Sequence, residues 1–153
     1  MANNVAILEN DRKQFIVVKI GNEQYGIDIG YVDNIVRMQK ITRVPKAQSY
    51  FPGIINLRGE IIPVMSIRKK MGLEPDVITD ASRIIILKIE QQGALGVIID
   101  EVREVVTLGE EEIDKVASAK DGKSNFINGV GKHGEELISL FDINAIIEEK
   151  ENA

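Results

Sequence analysis

The sequence predicts a mainly β protein made of two small five-stranded β-barrels that pack together, with a few short helices. Two observations predict this fold. The chain contains short Ile- and Val-rich runs separated by polar or glycine-containing connectors, and the order of these runs repeats once. Such runs are typical of strands. Five short twisted strands cannot bury both faces in an open sheet, so we expect each copy to close into a barrel.

Eight apolar runs are the candidate strands, and two segments are candidate helices. The runs are Phe15–Ile20, Gln24–Ile29, Ile54–Leu57, Ile61–Val64, Arg83–Ile89, Leu95–Ile99, Val102–Leu108 and Leu137–Phe141. The first helix is predicted over Ser66–Met71 and is closed by Gly72. The second is a C-terminal helix over Asp142–Lys150, where Asp142 can cap the first turn.

The repeat divides the chain. Residues 26–36 match residues 96–106 after a shift of 70, and residues 53–67 match residues 129–143 after a shift of 76. The six-residue difference places an insertion in the middle loop of the second copy. We therefore predict a flexible N-terminus over residues 1–14, a first barrel over 15–80 and a second over 81–150. Each barrel alone would be only marginally stable, so the two should form one domain.

Composition argues against several classes of function. The formal net charge is −5, aromatic residues make up 5%, and there is no cysteine. Nucleic-acid binding would need a basic stripe with stacking aromatic side chains. The chain lacks an apolar run of the roughly 20 residues that cross a bilayer, and its N-terminus lacks the order of a signal peptide. We expect a cytoplasmic protein that binds no nucleic acid and does not insert into a membrane.

The candidate catalytic and ligand motifs are weak. Gly129 to Gly134 match G-x-G-x-x-G, but an alternating strand pattern follows where a dinucleotide site needs a helix. These glycines are better interpreted as hairpin residues. His133, the single histidine, is expected at an exposed hairpin without a catalytic partner. Asp100, Glu101 and Glu110–Glu112 lack metal-loop spacing and are expected on a solvated face. The sequence therefore predicts no enzyme, no cofactor and no metal site.

A hairpin with a charged turn is the most informative local feature. Arg58-Gly59 joins two apolar runs, and glycine at such a turn tolerates a positive φ. Pro63 cannot donate a ladder hydrogen bond, which predicts an edge strand or a bulge. A small barrel with an irregular edge and exposed apolar side chains is suited to binding other proteins.

These segments together resemble the CheW coupling-protein family of bacterial chemotaxis. The matching residues are Tyr25-Gly26-Ile27-Asp28-Ile29, then Val32, Ile35 and Val36, then Thr42-Arg43-Val44-Pro45, then Gly53 to Val64, and finally Ile67-Arg68 with Leu73. The N-L-R-G hairpin and the upstream Y-G-I-D-I are the most specific parts. The resemblance covers the chain from about Phe15 to Ile147.

The resemblance implies two intertwined barrels of SH3-like type and a non-enzymatic adaptor function. Such an adaptor couples the signalling tips of methyl-accepting chemoreceptors to the regulatory, CheW-like domain of the histidine kinase CheA, in arrays at the inner face of the membrane. The receptor-binding residues implied by position are Val32, Ile35, Arg58, Ile84, Gly96 and Val105. The kinase-binding residues implied by position are Thr42, Pro45, Tyr50, Phe51 and Gly53.

One alternative stays open at this point. The same pattern of short strands is compatible with a small β-barrel regulatory or ligand-binding module of another signalling system. A ligand-binding barrel would need an internal cavity, for which five-stranded barrels seldom have room.

Overall fold

The computed structural model describes residues 12–90, 93–115 and 126–148, which form two sheets with short helical turns. The strands are β1 Arg12–Ile20, β2 Glu23–Asp28, β3 Val32–Arg37, β4 Gly53–Leu57, β5 Glu60–Ser66, β6 Arg83–Ile89, β7 Gly93–Ile99, β8 Glu101–Gly109, β9 Ile113–Lys115, β10 Ile127–His133 and β11 Glu136–Phe141. The α-helices are α1 Ile67–Lys70 and α2 Ile143–Ile147, and Ile29–Tyr31 and Glu110–Glu112 form 3₁₀ turns. The predicted mainly β fold is confirmed.

The described strands form a six-stranded sheet in the order β8-β1-β2-β11-β10-β9 and a five-stranded sheet in the order β3-β6-β7-β5-β4. The sequence predicted five strands in each unit. β3 and β10 lie outside the eight apolar runs and are the strands that complete the five-strand order of each repeat. The additional strand is β9, a three-residue strand that pairs with β10 between Gly129 and Gly131. A strand this short has no periodicity that could reveal it in the sequence.

The two halves of the chain exchange strands. β3 leaves the β1–β2 hairpin and pairs with β6, while β8 leaves the β6–β7 hairpin and pairs with β1. Likewise β5 runs parallel to β7, and β11 runs parallel to β2. The division at residue 80 therefore separates the two sequence repeats but not the two sheets, because each sheet contains strands from both halves.

We call the two parallel strand pairs, β5 with β7 and β11 with β2, the crossings. The repeat relates these two crossings residue by residue. Gly96 pairs with Val64 in one crossing, and Gly26 pairs with Leu140 in the other. A Cβ atom at Gly96 would lie 2.8 Å from Ile84 Cγ2, and one at Gly26 would lie 2.8 Å from Leu140 Cδ2. Both positions need glycine because interior side chains occupy the space that a Cβ would fill.

Three apolar clusters hold the described parts of the chain together. A central cluster lies between the sheets and includes Val18, Tyr25, Leu87 and Ile99. Two further clusters fill the concave sides of the sheets. The cluster of the six-stranded sheet contains Phe15, Val17, Val106, Leu108, Ile138 and Leu140. The cluster of the five-stranded sheet contains Ile55, Ile62, Val64, Ile84, Ile86 and Ile98.

Both predicted helices form, and Ser66, which was predicted to be helical, is the N-cap of α1. The Ser66 hydroxyl accepts a hydrogen bond from the Lys69 N–H at 3.2 Å, and Gly72 adopts φ +75° just after α1. The Asp142 carboxylate accepts from the Ala145 N–H at 3.3 Å. A side-chain acceptor at the N-cap satisfies an otherwise unpaired backbone donor. α2 ends at Ile147, earlier than the predicted Lys150, and residues 149 and 150 lie outside the described residues.

The N-terminal boundary also differs from the prediction. β1 begins at Arg12, and its first residues pair with Gly109, Leu108 and Thr107 of β8. Polar residues Arg12, Lys13 and Gln14 obscure this extension in the sequence because the strand is exposed there. The rest of the predicted flexible segment, residues 1–11, lies outside the described residues.

Candidate functional site

The β4–β5 hairpin presents Arg58 on a tight two-residue turn. Leu57 pairs with Glu60 across the turn, and Arg58 and Gly59 adopt φ values of +54° and +86°. Two positive φ values are typical of a type I′ turn. The Asn56 Oδ1 atom accepts a hydrogen bond from the Gly59 N–H at 3.0 Å. The turn therefore holds the arginine in a defined position.

Arg58 occupies a backbone conformation that asparagine or glycine would adopt more easily. A left-handed residue with a Cβ costs about 1 kcal/mol relative to a right-handed one. Arg58 is exposed and makes no ion pair with any other residue that the structure describes. Folding alone gives no reason for arginine at this position.

The second hairpin has the same ladder and a different turn. His133 pairs with Glu136, so Gly134 and Glu135 form the turn, and Gly134 adopts φ +63°. Gly134 is the residue that corresponds to Arg58 after the shift of 76. The interpretation of Gly129 to Gly134 as hairpin residues was thus only partly right, because Gly129 and Gly131 lie within β10.

Pro63 lies inside the five-stranded sheet, where an edge or a bulge was predicted. β5 has β4 on one side and β7 on the other. The pairing with β7 begins only at Val64, one residue after the proline, while Pro63 itself pairs with Ile54 of β4. The missing N–H of Pro63 is tolerated because it faces no β7 partner.

The residues implied in receptor binding divide into surface and interior positions. Val32 and Ile35 on β3 are half-buried at the margin of the central cluster. Arg58 is exposed, and Val105 on β8 is 51% exposed. Ile84 is 0% exposed, and Gly96 packs against it inside the five-stranded sheet. Neither residue can contact a partner directly. They can affect receptor binding only by changing the shape of the five-stranded sheet.

The residues implied in kinase binding surround the loop between β3 and β4. Thr42 forms a two-way backbone bridge with Ile54, with both N–H···O distances at 2.8 Å. Gly53 is buried at φ +156°, and a Cβ there would lie 2.0 Å from the Thr42 carbonyl oxygen. Gly53 therefore allows the loop to approach β4 and makes no surface of its own. Pro45 lies exposed on the loop.

Tyr50 and Phe51 anchor the end of this loop to α1. Their rings are 4.9 Å apart between centroids, and the Tyr50 hydroxyl donates to Gln48 Oε1 at 2.7 Å. The Lys70 ammonium lies 4.1 Å from the centre of the Tyr50 ring, a distance at which a cation–π contact is favourable. Both rings are half-buried against the central cluster, which makes them a rigid part of the surface.

An ion pair that the sequence did not predict connects both sheets. Arg68 on α1 binds Asp100, which lies between β7 and β8, with Nε to Oδ1 at 3.1 Å. Asp100 Oδ2 also accepts from the Gly21 N–H in the β1–β2 turn at 2.8 Å. Asp100 was expected on a solvated face, but its side chain is only 24% exposed and that of Arg68 only 14%.

The electrostatics of this pair follow from its contacts. Burial would raise the pKa of Asp100, but hydrogen bonds from Arg68 and Gly21 outweigh that effect, so its pKa lies below the ordinary 3.8. The hydrogen bond to Asp100 raises the pKa of Arg68, against the opposing effect of burial. Arg68 was visible only as part of a motif, and no local signal in the sequence pairs it with a residue 32 positions away.

Exposed aliphatic side chains mark the same position in both hairpins. Ile61 is 56% exposed and Leu137 is 63% exposed, and each directly follows the glutamate that pairs across the turn, Glu60 or Glu136. The sequence placed both in candidate strands without indicating which face they occupy. Alternation along each strand could have identified them, since Ile62 and Ile138, which point the opposite way, are buried.

The described residues contain no group of three or more His, Asp and Glu side chains that could hold a metal ion. Nor does any helix in the described ranges have the length and apolar character needed to span a bilayer. The main features of the described surface are a rigid charged turn, exposed aliphatic residues and anchored aromatic rings. Such features define a class of protein, the protein-binding β module.

Comparison with known proteins identifies the family. The model of the CheW-like domain matches residues 14–151. Chemotaxis protein CheW of Bacillus subtilis is 33% identical over 139 residues, covering 90% of this chain and 88% of that protein. CheW of Thermotoga maritima is 32% identical over 140 residues, covering 90% of each chain. The crystal structure of the scaffolding protein TtCheW from Thermoanaerobacter tengcongensis matches with a TM-score of 0.82 and 33% identity, covering 90% of this chain and 93% of that one.

The chain therefore belongs to the CheW-like domain family. Its function is that of a chemotaxis adaptor, in agreement with the resemblance found in the sequence.

Proposed function

We propose that this chain is a non-enzymatic adaptor that joins the signalling tip of a methyl-accepting chemoreceptor to the regulatory domain of the histidine kinase CheA. It would act in the cytoplasm, recruited to receptor arrays at the inner face of the membrane. The observation that carries the proposal is Arg58, an exposed arginine on a strained, hydrogen-bonded turn with no ion-pair partner among the described residues. Strained backbone conformations are concentrated at functional sites.

The receptor-facing surface would combine Arg58 with aliphatic side chains. Val32, Ile35 and Val105 offer apolar area on β3 and β8, the outermost strands of the two sheets. An amphipathic receptor helix could place its apolar face on these residues. Arg58 could then form charge-assisted hydrogen bonds to receptor carboxylates or helix-end carbonyls. Ile84 and Gly96 would support this surface from inside the five-stranded sheet.

The kinase-facing surface would be the loop from Thr42 to Gly53. Pro45 supplies exposed area, and Tyr50 and Phe51 supply rigid aromatic surface. Aromatic residues held in place lose little conformational entropy on binding, which favours them as interface anchors. Thr42 and Gly53 would fix the loop through their backbone contact.

The adaptor would act by holding both partners in one geometry. Signalling would then be a shift in the kinase's conformational populations, produced by contacts that differ between the two receptor states. The chain itself would need no chemistry for this role.

The proposal is tested by titrating the full chain with a receptor signalling fragment and, separately, with a CheA regulatory domain. Two variants address the turn, because glycine accepts the φ of Arg58 without strain. We expect Arg58→Gly and Arg58→Glu to weaken receptor binding roughly tenfold or more, as for a hot-spot arginine. Kinase binding should be unchanged in both variants. Thermal stability should be unchanged in Arg58→Glu and unchanged or slightly higher in Arg58→Gly, which relieves the left-handed strain.

Lys115→Glu changes an exposed residue of β9 that, like Arg58, forms no ion pair with another described residue. It provides the matched control and should leave both affinities within about twofold of the unmodified chain. Failure of the unmodified chain to bind either partner would refute the adaptor function. Equal loss of both partners in the Arg58 variants, or a marked fall in melting temperature, would instead assign Arg58 a structural role.

A further inference from the structure

Charge is unevenly distributed between two parts of this acidic chain. Residues 34–73 contain eight lysines and arginines and a single glutamate, whereas the remainder contains 11 basic and 23 acidic residues. The net charges are therefore +7 and −12. The basic segment includes β3 from Asn34 onward, β4 and β5 of the five-stranded sheet, the loop between β3 and β4, and α1.

The basic segment forms a groove beside the aromatic end of that loop. We call it the basic groove and define it by Arg43, Val44, Lys46, Phe51, Pro52 and Lys69, which line a cavity of about 240 Å³. The described residues that line it include no carboxylate. Val44 is 39% exposed, and together with Phe51 and Pro52 it gives the groove an apolar lining beside three cations.

The cations of the basic groove lack the partners found elsewhere. Arg68 binds Asp100, Arg103 lies 4.0 Å from Glu101, and Lys132 lies 3.4 Å from Asp114. Within the described ranges, Arg43, Lys46 and Lys69 form no such pair. Clustered like charges without counter-charges create a local positive potential that attracts an acidic partner.

We propose that the basic groove is the docking site for an acidic surface of the kinase regulatory domain, with an apolar side chain of that surface entering beside Val44 and Phe51. The inference rests on the proposed function and adds the chemistry by which the kinase-facing loop is recognised. Charge complementarity identifies the occupant as acidic, and the apolar side chains of the lining favour a protein surface over a purely ionic one. Electrostatic steering of this kind acts mainly on the association rate.

The test measures association rates of the full chain with a CheA regulatory domain at several salt concentrations. For the unmodified chain, we expect the association rate to fall steeply as ionic strength rises. The reason is that the screening length, about 10 Å at 0.1 M salt, becomes shorter. We expect Arg43→Glu with Lys46→Glu to slow association roughly tenfold or more at low salt and to flatten the salt dependence. Binding of the receptor signalling fragment should not change.

The matched control is Lys13→Glu with Lys115→Glu, which makes the same change in charge at exposed residues of the six-stranded sheet. It should change the kinase association rate by less than about threefold. Arg43→Gln with Lys46→Gln, which avoids new carboxylates, should give an intermediate rate. Thermal melting of each variant verifies that it is folded.

Three results would overturn the proposal while leaving the adaptor function intact. The first is a kinase association rate that does not depend on salt, and the second is an equal effect of the groove and control variants on that rate. The third is that the groove variants lose association between copies of the chain but still bind the kinase. The last result, measured by sedimentation, would make a second copy the occupant. A chain that binds neither kinase nor receptor would refute the adaptor function as well.

Discussion

The two β-hairpins that close the repeats share a ladder and differ in their turns. In the first, Arg58 and Gly59 both adopt positive φ, and the arginine is exposed. In the second, Gly134 takes the place of Arg58 and adopts a similar φ of +63° without the cost of a Cβ. The repeat therefore preserves the ladder and the left-handed first residue of the turn. The copies differ in the second turn residue, because Glu135 does not adopt the positive φ of Gly59, and in the side chain that the turn presents.

A second difference separates the two helix starts. Arg68, the second residue of α1, binds Asp100. The repeat relates Arg68 to Asn144 on α2 and Asp100 to Gly30. Asn144 and Gly30 both line a cavity of about 490 Å³. One end of the molecule is thus joined by an ion pair, and the related end is open. The two ends that the repeat relates therefore differ in whether an ion pair joins their elements.

The largest effects should come from the glycines at the two crossings. Gly26→Val and Gly96→Val each place a side chain where a Cβ alone would approach a neighbour to 2.8 Å. We expect each variant to lose about 3 kcal/mol of unfolding free energy, since overpacking a close-packed core is costly. Urea titration of both variants measures this loss. A tolerated valine at one crossing and not at the other would show that the two crossings are not equivalent.

The ion pair should have the next largest effect. Asp100→Asn removes the charge that Arg68 and Gly21 stabilise, and we expect a loss of about 2 kcal/mol, less than for a fully buried pair because both side chains keep some exposure. Denaturant titrations at neutral pH measure this loss. The control is Glu101→Gln, which removes the longer and exposed contact between Glu101 and Arg103. This variant should lose less than about 0.5 kcal/mol of unfolding free energy.

The same pair predicts a pH dependence. Because the pKa of Asp100 is lowered by folding, its contribution is complete above the ordinary value of 3.8 and is lost as the pH falls through the folded pKa. The stability difference between the unmodified chain and Asp100→Asn should therefore shrink below about pH 4. A difference that is constant down to pH 2 would contradict the assignment.

The smallest effect should come from making the open end resemble the closed one. Gly30→Asp with Asn144→Arg introduces the second ion pair at the residues that correspond to Asp100 and Arg68. Gly30 does not have a positive φ, so its backbone accepts a side chain once the Asp28 carboxylate, whose Oδ1 would lie 3.2 Å from the new Cβ, moves slightly away. A double-mutant cycle should give a coupling energy of roughly 0.5–1 kcal/mol. Zero coupling would show that the two ends differ in backbone as well as in side chains.

The sequence predicted the strands, the repeat and the helix caps because each depends on local chemistry. Ile- and Val-rich runs identified Ile62 and Ile138 as strand residues, and Asp142 is a cap that can be recognised within one turn. The pairing of β3 with β6 and of β8 with β1 could not be read in this way. Alternation indicates which face of a strand is buried, and it does not indicate which strand lies beside it.

The candidate site was predicted less completely than the fold. The turn at Arg58 was local and was correctly predicted as a two-residue hairpin. Ile84 and Gly96 were carried over by position, and the structure places them in the interior. The contact between Arg68 and Asp100 joins residues far apart in the chain, and the charge of the basic groove becomes visible only when the loop and α1 are brought together.

The exchange of strands gives the chain the geometry of a swapped dimer carried on one backbone. A half-length chain of this design could complete its sheets only by pairing with a second copy of itself, and that symmetric pair would carry every turn twice. A single backbone removes that constraint, because each turn is then encoded separately. An arginine can occupy one hairpin and a glycine the other, so a symmetric architecture can present different surfaces to different partners.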